Sequence, residues 1–324
     1  MKVYVLGAGN WGTTLATVFA EKNQIVLWTN TTEEAEQINK DRENKQFLPG
    51  IMLPDNISAE KKYNSRLNSD DILIVSVPSR KVHEICEEIK AQGYTQPIYV
   101  NVSKGVEHKS LKTIHEIVKD FIPKVHFANL SGPTIAREIA EGLPAKAVLA
   151  SDDIELLFYL QKELANSRLF FEFSTDVKGI ELAASLKGLI AIAIGIADGL
   201  GYKTNIFGLL MTKGLSEFYK LMKFFNVNPK TVYGIAGMGD LITTCLSENS
   251  RNRQFGKLLA QGLDVDSALQ KVGMEVEGVS MAKTVMKLTR LNISLPLISF
   301  VVDTINGEAE LRKDLEEVLL KMPV

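Results

Sequence analysis

Lys187 is the residue whose setting asks most for a chemical role. It stands in Ala183-Ala184-Ser185-Leu186-Lys187-Gly188-Leu189-Ile190-Ala191-Ile192-Ala193-Ile194, where nearly every neighbour is apolar, so the helix predicted here is buried on most sides. A buried ammonium is costly unless it is paired or faces a cavity. Desolvation lowers a lysine pKa toward neutrality, where a proton donor to a carbonyl oxygen works best. The bland alternative is a lysine that snorkels to solvent from a helix edge. A second cluster runs Gly237-Met238-Gly239-Asp240-Leu241-Ile242-Thr243-Thr244-Cys245 and continues to Ser250-Arg251-Asn252-Arg253. Glycines beside Asp240 allow close approach to another element, and Asp240 can pair with a buried lysine. Ser-Arg-Asn-Arg at a helix start combines a cap, guanidinium forks and unpaired N–H groups, a set suited to a phosphate dianion. Taken alone, that stretch reads better as a capped, charged, solvated helix start.

Anion binding is also predicted at the N-terminal end. Val3-Tyr4-Val5-Leu6 reads as a buried strand, and Gly7, Gly9 and Gly12 follow at G-x-G-x-x-G spacing before a helical stretch from Thr13 to Glu21. In this context the first glycine permits a tight turn, the second lets a pyrophosphate approach the backbone, and the third lets helix pack on strand. The helix start adds N–H groups and the positive end of the helix dipole. A glycine-rich turn that binds nothing is the alternative, and the strand directly before the motif argues against it. A second strand, Gln24 to Trp28, ends in Thr29-Asn30-Thr31-Thr32. That tip has neither the acid that holds a ribose 2′-hydroxyl nor the arginine that favours a 2′-phosphate. Asn30 can hydrogen-bond a ribose hydroxyl, and NAD versus NADP stays open.

The elements that must position these residues fall into two patterns. Strands are predicted at Asp71 to Val77, Pro97 to Val102, Val125 to Leu130, Ala145 to Ala150 and Arg168 to Phe173, alternating with helices that include Lys109 to Phe121. Two strand ends carry candidate ligand contacts, since ligands in such sheets gather at the carboxyl ends. One is Lys104, in Ser103-Lys104-Gly105, which can meet an anion or stay a solvated loop lysine. The other is Ser131-Gly132-Pro133-Thr134, read as a loop-to-helix start with proline near the first helical position. From Val177 onward the pattern is helical, with segments at 178–200, 207–225, 232–241, 251–261, 264–270, 280–291, 296–306 and 311–320. The predicted fold class is α/β: a doubly wound Rossmann-type sheet with added strands over 1–177, then an all-helical substrate domain over 178–324.

Composition narrows the class. A chain of 324 residues, 45% hydrophobic, can bury two cores, and its net charge of −2 argues against a strongly basic nucleic-acid surface. The two cysteines, Cys86 and Cys245, are far apart and the four histidines lack metal-ligand spacing, so neither disulfide framework nor metal site is predicted. Leu186 to Leu200, the most apolar stretch, holds Lys187 and Asp198 and is read as too short to span a bilayer. A first strand beginning at Lys2 leaves no room for a signal peptide. The expectation is a cytoplasmic protein without membrane insertion.

Together these segments resemble one family, the NAD(P)-dependent glycerol-3-phosphate dehydrogenases of the bacterial and cytosolic type. The matching blocks are Gly7 to Thr13, Ser103-Lys104-Gly105, Leu130 to Ala136, Glu181 to Asn205 and Gly237 to Gly256, in the family's order and across most of the chain. The resemblance implies reversible NAD(P)H-dependent reduction of dihydroxyacetone phosphate to sn-glycerol 3-phosphate, feeding phospholipid synthesis. It implies that Lys187 is the catalytic acid and base, that Lys104 orients substrate near the cofactor, and that Asp240 and Thr244 stand beside the catalytic lysine. Arg251 and Asn252, with Ser250, match the phosphate-binding segment, and Gly132, Thr134 and Ala136 match the substrate and cofactor loop. Gly7, Gly9, Asn10, Trp11, Gly12, Asn30, Lys104, Ala136, Arg251 and Glu277 are the implied cofactor contacts.

Three positions depart from the family pattern. Gly188 stands where asparagine usually follows the catalytic lysine, so one substrate hydrogen bond is either missing or supplied elsewhere. Glu275 occupies a commonly apolar position, and the Thr29-Asn30 tip fits neither cofactor pattern. Two other readings keep the architecture: a dehydrogenase of hydroxy acids or sugar acids, and a redox-responsive regulator that binds dinucleotide without turnover. The apolar helical domain is compatible with a homodimer.

Overall fold

A computed structural model describes residues 1–94, 97–107, 110–289 and 293–321. The chain divides into two compact units, Met1–Lys104 with Ile114–Val177, and Gly105–Thr113 with Lys178–Val324.

The first unit is built on eight strands: β1 (Val3–Leu6), β2 (Ile25–Thr29), β3 (Ile57–Lys61), β4 (Ile72–Val75), β5 (Ile98–Asn101), β6 (His126–Ser131), β7 (Ala145–Ala150) and β8 (Leu169–Ser174). They form one sheet in the order β3-β2-β1-β4-β5-β6-β7-β8. Every pair is parallel except β6 with β7. Strands β1, β2 and β4 are buried along their whole length, as parallel strands covered on both faces must be, and they read as unbroken apolar runs for that reason. Val5 pairs with Leu27 on one side and Ile74 on the other. Sequence order reverses about β1, and such a switch point opens a crevice at the carboxyl ends of the strands. The helices are α1 (Asn10–Phe19), α2 (Thr32–Asp41), α3 (Val82–Ala91), α4 (Ile114–Phe121), α5 (Ala136–Ala140) and α6 (Ile154–Glu163).

The α/β class and the doubly wound sheet with added strands are as predicted, with local differences. Edge strand β3 was not expected. Its Ile-Ser-Ala-Glu-Lys buries only Ile57 and Ala59, and so short an alternation resembles a polar loop. The helix predicted from Lys109 begins at Ile114, Lys109 itself lying outside the described residues. Pro133 is not at a helix start, because α5 begins at Ala136 with Ile135 as its N-cap. Gly132 to Ile135 are loop.

The second unit is helical: α7 (Val177–Gly199), α8 (Thr204–Phe224), α9 (Asp240–Leu246), α10 (Arg251–Ala260), α11 (Val265–Val272), α12 (Glu277–Thr289), α13 (Pro296–Asn306) and α14 (Leu311–Glu316). The helix predicted over 232–241 is instead a 3₁₀ turn at Pro229–Tyr233, a π turn at Ile235–Gly239 and then α9. The helix predicted over 280–291 starts earlier, at Glu277, and its last two positions lie outside the described residues. Helix α7 runs through the core: Leu189 to Ala193 are fully buried. At 23 residues it is longer than the apolar stretch from Leu186 suggested, and it has the length and apolarity to cross a bilayer, but its apolar window is entirely covered by protein.

A buried carboxyl group ties two helices of this unit together. Glu217 on α8 is 1% exposed, and its two oxygens accept the Leu297 and Ile298 N–H groups at 2.8 and 2.9 Å. It thereby caps α13, whose first residue is Pro296. Burial pushes the Glu217 carboxyl up to about 7, against the pull of those N–H groups and of Lys213. Glu217→Ala leaves two buried donors unsatisfied and is expected to cost about 3 kcal/mol, read by urea denaturation. A folded pKa of about 7 lies above the ordinary 4.5, so this group's protonation contributes stability below pH 4.5 that is lost as pH rises through about 7. Between about pH 6 and pH 8 the native Tm should fall further than that of Glu217→Gln. Parallel Tm curves would show that Glu217 does not titrate there.

Candidate active site

The first unit presents a phosphate-sized opening where β1 turns into α1. Gly7 has φ of +109°, and a Cβ there would stand 2.3 Å from the Ser76 carbonyl oxygen. A Cβ on Gly12 would stand 1.9 Å from the Gly7 carbonyl oxygen, whereas one on Gly9 would meet nothing within 4 Å. The first and third glycines are thus required by protein packing, and the second leaves space in front of the backbone. No side chain caps the N-terminus of α1, so its first N–H groups suit an anion. This cradle fits a dinucleotide pyrophosphate. Buried Asn44 fixes the loop, donating to the Ala8 carbonyl at 2.8 Å and to Thr13 Oγ1 at 2.9 Å. Sequence reasoning passed over Asn44, which lies in a stretch with no motif.

A cleft of about 700 Å³ extends from this loop to the end of β2, lined by Gly7, Gly9, Asn30, Glu34, Val77 and Arg80 among others. Asn30 is exposed there, Asn10 is exposed at the start of α1, and Trp11 is half-buried against the core of the unit. The other contacts expected of this unit lie beyond β5 and β6. Lys104 Nζ stands 3.5 Å from the Gly132 carbonyl oxygen, and Thr134 Oγ1 donates to that oxygen at 3.2 Å. Beneath them the buried side chains of Asn101 and Asn129 are bonded across the sheet at 2.7 Å. Thr14 Oγ1 donates to the Ala136 carbonyl at 3.2 Å, tying α5 to α1. Lys104, Gly132 and Thr134 therefore form one bonded group at the carboxyl ends of the strands, with Ala136 two residues further on tied to α1.

In the second unit Lys187 does not reach solvent by snorkelling. Its ammonium is paired with the Asp240 carboxylate, their side chains 11% and 2% exposed. Removing either partner would strand a buried charge, a loss of about 3–5 kcal/mol where such pairs have been broken. Thr244 lies one turn beyond Asp240 on α9, half-buried, at the spacing that shares a helix face. Cys245, next to it, is an inert thiol: burial pushes it up to about 12, with Asp240 adding to the rise and Lys187 and Arg253 opposing it.

Close backbone contact brings α10 against α7. A Cβ on Gly256 would stand 2.1 Å from the Ile192 carbonyl oxygen, and one on Gly195 would stand 2.0 Å from that of Arg253. Ser250 caps α10, its Oγ accepting from the Arg253 N–H at 3.4 Å. The two guanidinium groups of the segment differ. Arg253 donates to the Leu246 carbonyl at 3.0 Å and to Asp198 at 3.3 Å, which makes it a brace between α7, α9 and α10. Burial pushes the Asp198 carboxyl up, but Lys257 and Arg253 outweigh this and hold it below its ordinary range. Arg251 is half-buried at the first position of α10.

Buried Asn252 turns the other way, its Oδ1 accepting from the Gly278 N–H at 2.9 Å, one residue beyond Glu277. A Cβ on Gly188 would stand 3.0 Å from Gly278 Cα and 3.2 Å from Asn252 Nδ2. The side chain absent at 188 is thus replaced by a close approach to Gly278, with the Asn252 amide alongside. Glu275 is half-buried rather than core, a setting that accepts a charge in place of an apolar residue.

A sheet able to cradle a dinucleotide, followed in the same chain by a helical unit with a buried lysine–aspartate pair, is the organisation of a two-domain nicotinamide-dependent dehydrogenase. Comparison with known proteins is more specific. Residues 2–157 match the model of the NAD-dependent glycerol-3-phosphate dehydrogenase N-terminus and residues 176–316 that of its C-terminus. The chain belongs to the NAD-dependent glycerol-3-phosphate dehydrogenase family, and it is an NAD(P)-dependent oxidoreductase. It is 37% identical over 306 residues to glycerol-3-phosphate dehydrogenase [NAD(P)+] of Fusobacterium nucleatum, covering 93% of this chain and 91% of that one. The Lysinibacillus sphaericus enzyme of the same name is 36% identical over 326 residues, covering 99% and 96%. The crystal structure of glycerol-3-phosphate dehydrogenase from Coxiella burnetii superposes with a TM-score of 0.91 at 32% identity, covering 98% of each chain.

The helix contact makes a direct prediction. Gly256→Ala forces α10 off the Ile192 carbonyl and is expected to lower stability by about 3 kcal/mol, read from the urea midpoint. The same change at solvent-facing Gly208, where a Cβ would meet nothing within 4 Å, should be neutral or mildly stabilising. Equal effects at the two positions would show that the close approach is not a constraint.

Proposed function

We propose that this chain is a cytoplasmic sn-glycerol-3-phosphate dehydrogenase that reversibly reduces dihydroxyacetone phosphate with NADH or NADPH, supplying glycerol 3-phosphate for phospholipid synthesis. The observation that carries the reading is the Lys187–Asp240 pair, a buried ion pair in the apolar middle of α7. When bound, the nicotinamide supplies a hydride to the ketone carbon. Lys187 Nζ gives a proton to the ketone oxygen as negative charge grows there, and takes it back in the reverse direction. Asp240 orients the ammonium and balances its charge, and Thr244 contributes a hydroxyl on the same helix face. Arg251, at the Ser250-capped start of α10, anchors the substrate phosphate. Asn252 supplies the amide that the family's asparagine would offer at position 188.

The first unit, 1–104 with 114–177, is proposed as the dinucleotide domain and the second as the substrate domain; the division expected at 177/178 shifts only in that 105–113 belongs with the helical unit. Gly7, Gly9, Asn10, Trp11 and Gly12 hold the pyrophosphate, Asn30 reaches the ribose, and Ala136 completes the contacts of the first unit; the family resemblance adds Arg251 and Glu277 of the helical unit as cofactor contacts. Lys104, with Gly132 and Thr134, orients substrate and cofactor at the strand ends. A homodimer is the proposed assembly, without nucleic-acid partners and without membrane insertion.

The test is the absorbance of NADH and of NADPH mixed separately with dihydroxyacetone phosphate and the purified chain. Oxidation of either supports the reading. Turnover of hydroxy or sugar acids alone, or tight dinucleotide binding with no ketone accepted, would favour the other dehydrogenase reading or the regulator. Lys187→Ala is expected to lower kcat about 1000-fold while the NADH Kd stays within about twofold; near-normal turnover would remove Lys187 from the chemistry. Arg251→Ala should raise KM for dihydroxyacetone phosphate about 100-fold, in line with the loss of a charge-assisted bidentate contact. Its effect on unphosphorylated dihydroxyacetone should be small, and an equal loss on both substrates would sink the phosphate anchor.

A further inference from the structure

Resting on the dinucleotide site proposed for the first unit, we infer that Glu34 makes it a site for NAD(H) in preference to NADP(H). The end of β2 has no acid of its own, running Thr29-Asn30-Thr31. The carboxylate that reaches it comes from the first turn of α2. Glu34 Oε2 accepts from the Asn30 N–H at 3.0 Å and from the Thr31 N–H at 3.3 Å. In return, Thr31 Oγ1 accepts from the Glu34 N–H at 3.2 Å, completing a capping box. The box pins the carboxylate at the strand end, on the cleft that also holds Gly7, Gly9 and Asn30. Two N–H groups occupy only part of what a carboxylate accepts, which has about four lone-pair sites. In this fold the adenosine ribose reaches the end of the strand beside the glycine loop, where an acid accepts from the 2′-hydroxyl and repels a 2′-phosphate. Glu33 lines the same cleft and adds a second negative charge.

The cations of the cleft do not offset this at the β2 tip. Lys62 Nζ is held by both Glu88 oxygens at 2.6 and 2.8 Å, and Lys45 by Asp41 at 2.7 Å. Arg80 and Lys81 line the opposite side of the cleft and follow β4, whose strand is separated from β2 by β1, so the two strand ends lie about 10 Å apart at two strand spacings. The acid that the strand tip lacks in sequence is therefore supplied through the helix cap.

The experiment is calorimetric titration of the full chain and of Glu34→Gln with NADH and with NADPH. Glutamine keeps the capping box and removes the charge, so a purely structural role would leave the preference between cofactors unchanged. Native protein is expected to bind NADH at least about tenfold more tightly than NADPH. Glu34→Gln should tighten NADPH about fivefold while NADH stays within about twofold. Equal or tighter NADPH binding by the native chain, or a ratio that Glu34→Gln leaves unmoved, overturns the inference. A native preference for NADPH abolished by Arg80→Ala would overturn it too, by placing a phosphate contact after β4. Binding of neither dinucleotide would overturn the underlying site as well, whereas equal binding of both fails the cofactor preference alone.

Discussion

The second unit depends on keeping one charge inside an apolar helix. Lys187 sits on a helix whose neighbouring side chains are all but fully buried, and an unpaired ammonium there would favour local unfolding over a packed core. Asp240 removes that penalty, but only if α9 begins within reach of α7. The segment before it supplies the approach: a π turn at Ile235–Gly239, rich in glycine, packs so tightly that a Cβ on Gly237 would fall 2.2 Å from the Val232 carbonyl oxygen. The irregular backbone, which interrupts what would otherwise read as one helix, follows from the need to deliver a carboxylate to a buried partner. Fold and chemistry share that requirement.

The same logic extends to α10. Arg251 and Asn252 are useful only where the helix start is held against α7, and the opposed glycines at 195 and 256 let the two backbones touch. Arg253 then ties α10 to the last carbonyls of α9 and to Asp198 on α7. One arginine of the segment braces three helices, and the other stands at the first position of α10. Asn252 reaches across to α12 through the Gly278 N–H, beside the space opened by Gly188. Each polar residue is thus positioned by an apolar contact or a backbone approach close to it, and a change at such a contact disturbs the chemistry without touching it.

How much of this was legible in the sequence follows from the range of the interactions. Strands β1, β2 and β4 declare themselves because burial on both faces demands unbroken apolar runs. The glycine spacing of the first loop is legible because packing and phosphate approach both act within a few residues. Lys187 stands out because its neighbours are aliphatic, and Asp240 could be named as its partner by chemistry, although nothing local says how α9 reaches it. Edge strand β3 was hidden, since a strand half exposed and five residues long carries too little pattern to separate it from a loop. Asn44 was hidden because its partners, Ala8 and Thr13, lie far back in the chain. The different duties of Arg251 and Arg253 were also out of reach of spacing, because what separates them is Asp198 on another helix.

The β2 tip shows a subtler version of this problem. Read by strand position alone, Thr29-Asn30 has no charge, and the cofactor choice looks undetermined. Yet Thr31-Thr32-Glu33-Glu34 is a capping-box sequence, and the geometry of such a box returns the glutamate side chain to the backbone at its own N-cap. A residue five positions past the strand end therefore occupies the place where an acid on the strand itself would act. The local rule for helix starts and the rule for ribose recognition meet in one carboxylate, so the charge belongs to the strand end although the residue belongs to the helix. Function at such a site is decided by where the backbone of the cap turns, and a motif defined only by position along the strand will miss it.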